Sequence, residues 1–256
     1  MDPATIIGIG LALGGILLAI ILEGSSPMSV ILPAPMVLVI VGTLGAALAG
    51  SRMADMGAVV QALIKAFTGK AVKPGATIDV VVSLAERARR EGLLALEDAA
   101  KDVEDQFLRD GLQAAIDGTD PEDLREMLLA KIEVKKGTDK VGAKFFNDAG
   151  GFAPTVGIIG TVVSLVHVLE NLSEPDKLGH MIAAAFVATL WGLLAANIIC
   201  LPIANRLKRL SETECAQMEL VVEGLMAVQA GANPRLVAQR LRSLVPEEKA
   251  KAGAAA

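Results

Sequence analysis

Few polar side chains in this sequence sit where chemistry would have to occur inside an apolar medium. Thr43, Thr155, Thr161, Ser164, His167, Thr189 and Asn197 are the ones within its long apolar runs. A hydroxyl in such a run bonds its own backbone one turn away, or its oxygen helps coordinate a cation or hold a file of water. Thr161 and Thr189 both lie well inside their runs and could share a depth and a cavity. His167 stands one turn from the end of its run, near headgroup depth. No nucleophile has a base partner, and no glycine loop follows a strand. Cys200 and Cys215 make neither a metal-ligand spacing nor a disulfide framework. The expectation is a protein that is not an enzyme, with no cofactor and no metal.

The group that is missing is as informative. No Asp, Glu, Lys or Arg lies in the interior of any apolar run, and Glu23 marks the outer end of the first. Ion-driven machines carry an ionisable group within the membrane. Either this chain is not one of them, or it is half of one and borrows a carboxylate from another chain.

The elements that hold these residues are membrane spans. The chain has 256 residues, 53% of them hydrophobic and 21% charged, and the charges are clustered. Its mean hydropathy is +0.53. Residues 6–22, 30–49, 150–169 and 181–203 each approach the ~20 apolar residues that cross a bilayer as a helix. The short link after the first run lacks Lys and Arg. The long link after the second opens with Arg52, Lys65, Lys70 and Lys73, and Arg206, Lys208 and Arg209 follow the fourth. The positive-inside rule then places both termini and the long link in the cytoplasm. The net charge of −5 argues against a nucleic-acid partner. The expected fold is an all-α polytopic membrane protein with four transmembrane helices and a helical cytoplasmic domain. Its parts are a hairpin over 1–50, a cytoplasmic domain over 51–148, a second hairpin over 149–204 and C-terminal helices over 205–256.

Within the cytoplasmic part, periodicity predicts a helix over 77–90, a break at Gly92 and a second helix over 93–108. Asp120-Pro121-Glu122-Asp123 is a helix start, with Asp120 as cap. Residues 206–228 read as an extension of the fourth span, and Gly231-Ala232-Asn233-Pro234 ends it and starts another helix. The tail 246–256 is assigned no role. In the spans, Gly10 with Gly14, Gly157 with Thr161 and Gly192 with Ala196 are small-xxx-small pairs. They serve packing within one subunit, packing between subunits, or both. Pro154 begins the third span. Pro202 is either a terminator or a hinge in a continuing helix.

These residues resemble the MotA/PomA family of flagellar stator proteins. The order of parts agrees, as do Ala88-Arg89-Arg90-Glu91-Gly92-Leu93-Leu94-Ala95-Leu96-Glu97, Pro154 with Gly157-Ile158-Ile159-Gly160-Thr161, and Ala188-Thr189-Leu190-Trp191-Gly192. Pro202 with Ala204-Asn205-Arg206-Leu207 and Gly231-Ala232-Asn233-Pro234-Arg235 complete the likeness, which runs from Ile6 to about Leu244. The resemblance implies a bacterial inner-membrane stator that turns ion-motive force into torque. Several copies, a pentamer, surround a peptidoglycan-anchored MotB/PomB-type partner that supplies the membrane Asp, and the cytoplasmic charges engage the rotor protein FliG. It assigns Thr161 and Thr189 to the ion path, Pro154 and Pro202 to conformational coupling, and Arg89, Arg90 and Glu97 to rotor binding. Without the resemblance those three charges read as a solvated helix face. The transported ion is H+ or Na+. Threonine at 189 occurs in sodium-type members and in some proton-type members, and span one lacks the core acid of some sodium-type relatives, which inclines the reading to protons. The alternatives are an ExbB/TolQ-like energising ring subunit, which typically has three spans, and a non-conducting scaffold.

The missing carboxylate gives a direct test. Purified without a partner and placed in liposomes, this chain should sustain no gated proton or sodium flux. Flux from the chain alone would remove the borrowed-carboxylate argument.

Overall fold

The computed structural model describes residues 4–69, 74–173 and 175–245. Lys70, Lys73 and the tail 246–256 lie outside the described residues. Ten α-helices occur among them, and no strand. They are α1 (Ala4–Leu22), α2 (Pro33–Ala49), α3 (Met56–Thr68), α4 (Pro74–Glu91), α5 (Leu96–Lys101), α6 (Gln106–Ile116), α7 (Pro121–Glu170), α8 (Pro175–Leu194), α9 (Leu201–Gln229) and α10 (Pro234–Ser243). Two compact units result: residues through 69 together with 138–209, and residues 74–137 together with 210–245.

The first unit holds the four spans. α1, the C-terminal part of α7, and α8 with its continuation are each long and apolar enough to cross a membrane. α2 has 17 residues, the short end of what a bilayer needs. It is joined through a 113° bend to α3. α3 was not expected from the sequence. Val59 and Ala66 turn inward on it, against Ala47, Phe145, Phe146, Ala149, Ile203, Ala204 and Leu207. Its C-terminal carbonyls at Ala66 and Gly69 accept from the Arg206 guanidinium at 2.5 and 3.4 Å. That side chain satisfies carbonyls which no later turn of helix reaches.

Small residues set how closely the spans pack. A methyl on Gly192 would lie 2.7 Å from the Ala153 carbonyl and 3.0 Å from Gly157 Cα. One on Gly160 would strike Leu38 Cδ2 at 2.6 Å, and one on Gly42 would strike Val156 Cγ1 at 2.9 Å. Packing within the subunit therefore uses Gly42, Gly157, Gly160 and Gly192. Gly10 and Gly14 meet nothing within 4 Å, and no residue of α1 is buried.

The second unit is a soluble-type helical core. Ile78, Val81, Leu96, Leu108, Leu112, Leu124, Leu128, Leu225 and Leu241 are buried there. Each contributes about 1.5–3 kcal/mol by leaving water. The ion pairs on its surface, such as Lys131–Asp110 at 3.1 Å, contribute about 0–1 kcal/mol each. Burial, not ion pairing, holds this unit together.

Three sequence expectations change. The second helix after Gly92 is not continuous over 93–108: a 3-10 turn at Leu93–Ala95 and the short α5 come first, and α6 starts afresh. Asp105 causes the restart, its Oδ1 accepting from the Phe107 and Leu108 amides at 2.9 and 3.1 Å. The third span is the end of one 50-residue helix that begins at Pro121, so Pro154 is an interior residue and not its first. The fourth span begins at Pro175, and it continues past Pro202 to Gln229, which removes the terminator reading of that proline.

The glycine contacts generate a stability prediction. Gly192→Ala must displace backbone and should destabilise the purified protein by about 1–3 kcal/mol. Gly45→Ala, with nothing within 4 Å, meets no clash inside α2 and should be neutral or stabilising by up to about 1 kcal/mol. Equal unfolding midpoints for the two variants would contradict the close α7–α8 approach.

Candidate functional site

The close approach of α7 and α8 brings the two predicted hydroxyls together. Thr161 Oγ1 and Thr189 Oγ1 are 2.5 Å apart. Thr161 Oγ1 is also 2.9 Å from the Ala185 carbonyl on α8 and 3.2 Å from its own Gly157 carbonyl. One hydroxyl has one proton. If Thr161 donates across to Ala185, Thr189 donates to Thr161 and keeps its own lone pairs free. Both residues are half-buried. The pair therefore offers oxygen lone pairs but no group that changes charge. Thr155 bonds its own backbone at Phe152 (2.7 Å) and Asn197 its own at Leu193 (3.0 Å). Thr43 is 4% exposed, and its hydroxyl has no hydrogen-bond partner among the described residues.

The two predicted prolines fall in neighbouring turns. Pro154 can give no hydrogen bond to the Gly150 carbonyl, and Pro202 none to that of Ile198. Before Pro202 the helix widens into a π-helical stretch, Ala195–Cys200, which relieves the crowding of ring against carbonyl. Gly150 lies against this place: a methyl on it would be 2.7 Å from Leu201 Cδ2 and 3.4 Å from Cys200 Cβ. The weakened turn of α7 and the widened turn before α9 thus touch.

A tryptophan that composition alone left without a role braces the same helices. The Trp191 indole N–H donates to the Val30 carbonyl at 2.7 Å. Val30 closes a short 3-10 turn, Pro27–Val30, just before α2. The bond ties the entry of α2 to α8.

The predicted cytoplasmic charges lie on the second unit. Gly92 has φ 86°, a left-handed conformation that glycine adopts without strain, and it ends α4 after Arg89 and Arg90. Leu96 is fully buried and anchors α5, leaving Glu97 exposed at its start. Neighbouring charges neutralise one another: Arg87 with Glu91 at 3.3 Å and Lys101 with Asp98 at 2.9 Å. The hydrogen bond from Lys101, with its charge, holds the Asp98 carboxyl below its ordinary pKa and raises that of the lysine. Among the described residues Arg90 bonds only the Glu86 carbonyl. Arg89 and Glu97 have no ion pair among the described residues.

Among known proteins, motility protein A of Bacillus subtilis is 35% identical over 249 residues, covering 96% of this chain and 92% of the relative. The chain belongs to the MotA/PomA family. Its residues 99–220 match the MotA/TolQ/ExbB proton channel family. The chemotaxis protein PomA of Vibrio alginolyticus, a second member, is 31% identical over 97% of each chain. A chain of the flagellar MotAB stator complex from Bacillus subtilis superposes with a TM-score of 0.88 at 35% identity, covering 95% of this chain and 96% of that one. The four-span, all-helical architecture is thus that of a MotA/PomA-family membrane protein.

The threonine contact predicts a measurable bond. Thr161→Val keeps the shape but removes the proton shared with α8, and should cost about 1 kcal/mol of stability. Thr161→Ser should retain most of it. Unfolding midpoints that rank valine with serine would contradict the bridge.

Proposed function

We propose that this chain is the ion-conducting subunit of a bacterial flagellar stator. It would assemble as a ring, a pentamer, around a MotB/PomB-type partner anchored in peptidoglycan. The observation that carries this reading is a four-span relative of motility protein A whose span interiors hold no carboxylate. The partner's membrane Asp supplies the group that takes up and releases H+ or Na+. The chain lies in the inner membrane with both termini in the cytoplasm, as its Arg and Lys distribution favours. α1, with no buried residue, is free to meet lipid or a second copy.

In this reading the lone pairs of Thr161 and Thr189 line the ion path beside the borrowed Asp. Pro154 and Pro202, in touching turns with weakened hydrogen bonding, let the inner helices shift as the ion passes. Arg89, Arg90 and Glu97 meet FliG on the rotor. Charges of this kind set encounter and register more than affinity. In the assembled complex the Thr161→Val variant should carry a reduced ion leak.

Genetics tests the reading. Loss of the chain should leave filaments assembled but unable to turn. Arg90→Glu or Glu97→Lys should lower swimming speed by about threefold or more while the chain still reaches the membrane. Normal swimming of both reversals at low and high load would remove the rotor contact, and turning filaments without the chain would remove the stator reading.

A further inference from the structure

α2 carries a hydroxyl that its surroundings do not use. Thr43, 4% exposed, is the one polar residue that is buried among the described residues, and its Oγ1 is shut off from solvent with no hydrogen-bond partner among them. A threonine in a helix has a remedy in its own backbone, the carbonyl one turn back. Ser51 takes that bond at Ala47 (2.8 Å), Thr68 at Ile64 (2.8 Å) and Thr161 at Gly157 (3.2 Å). Thr43 does not take it at Val39. A buried hydroxyl left without a partner costs free energy that an apolar side chain of the same shape would not. Its presence in a packed face calls for a use.

Contacts on either side fix the level of this hydroxyl. A methyl on Gly160 would lie 2.6 Å from Leu38 Cδ2, and a methyl on Gly42 would lie 2.9 Å from Val156 Cγ1. Residue numbers rise along α2 as they fall along α7, so the two helices run antiparallel. Further along, Ala47 joins Ala149 and Ile203 in one buried cluster. Thr43 stands between Gly42 and Ala47, so the stretch of α7 at its level falls between Val156 and Ala149. That stretch contains Pro154 and the Gly150 carbonyl, which Pro154 leaves without its helical partner. Val39 and Ala47, one turn to either side of Thr43, are 1% and 2% exposed, so the hydroxyl belongs to the packed face of α2. A buried donor without an acceptor thus occurs at the level where α7 has an acceptor without its donor.

We propose that Thr43 is a positioning residue for the ion-driven movement: when the inner helices shift, its hydroxyl donates to the Gly150 carbonyl and holds α7 in the shifted position. The proposal rests on the reading of Pro154 as a point of conformational coupling. It adds the donor on α2 that gives the shift a second resting place. Two groups that go unmatched in one arrangement become a single hydrogen bond in the other, so the second arrangement gains what the first lacks. Packed helices with two discrete arrangements turn a small local change into a defined step.

The test uses the full chain, expressed with its partner in motile cells that lack any other copy. Thr43→Val removes the hydroxyl and keeps the shape, whereas Thr43→Ser keeps the hydroxyl. Thr43→Val should leave the unfolding midpoint of the purified chain unchanged or raise it, because no bond is lost in the arrangement described. Rotation speed at low load, per stator unit engaged at the motor, should nevertheless fall about fivefold, the ratio that one hydrogen bond supports. Thr43→Ser should turn at close to the unaltered speed. A midpoint lowered by valine but not by serine would put the bond in the first arrangement and overturn the proposal. Normal speed with valine, or equal slowing with valine and serine, would overturn it too, and each of these leaves the stator reading standing. If Pro154→Ala turns at full speed, the coupling role of that proline falls and the proposal with it. Filaments that turn in cells without the chain would remove the stator reading itself.

Discussion

Where Gly157 meets Gly192, the backbones of α7 and α8 approach so closely that one added methyl would lie 2.7 Å from the Ala153 carbonyl. The rest of the membrane unit depends on that distance. It brings Thr161 and Thr189 within hydrogen-bond reach, one helical turn from each glycine, and it lets Thr161 reach a carbonyl on the facing helix. It also sets the level at which Gly150 bears on Leu201, so that the two turns deprived of a backbone hydrogen bond by proline become neighbours. A wider helix pair would scatter these features. The unit combines a tight, unyielding crossing with a soft place a turn or two away.

The second unit obeys a different economy. Its interior is aliphatic, and several of its charges pair across helices: Lys135 with Glu214 at 2.7 Å, Lys136 with Glu219 at 3.0 Å, and Glu223 with both Arg125 and Arg240 at 3.3 and 2.6 Å. Such pairs add little stability, but they cancel the field of the surface around them.

Much of this was legible in the sequence because the signals are local or compositional. Four apolar runs, the cap at Asp120 with Pro121, and Gly231 before Asn233-Pro234 each specify their element with nearby residues. The misses share a cause. α3 has apolar residues on more than one face, so its period was masked by the charge signals around it. The division between α5 and α6 depends on the single carboxylate of Asp105. The pattern of the helix starting at Pro121 ran at least to Lys136 and left its continuation toward the third span open, and Pro154, which looks in sequence like a boundary, is an interior residue of α7. The contacts of Trp191 with Val30 and of Arg206 with Ala66 join residues far apart in the chain, and no periodicity announces them. For the candidate site, the Thr161–Thr189 pairing was anticipated as a shared depth. The meeting of the two proline turns required the fold.

The bond from Trp191 to Val30 has an experimental consequence. The chain contains one Trp and no Tyr, so its ultraviolet emission comes from a single indole whose N–H is engaged by the entry of α2. Loosening of α2 from α8 would change the polarity and hydrogen bonding around that chromophore. The protein thus carries a built-in optical reporter of the contact between α2 and α8, readable without any label in the presence of partners that lack tryptophan.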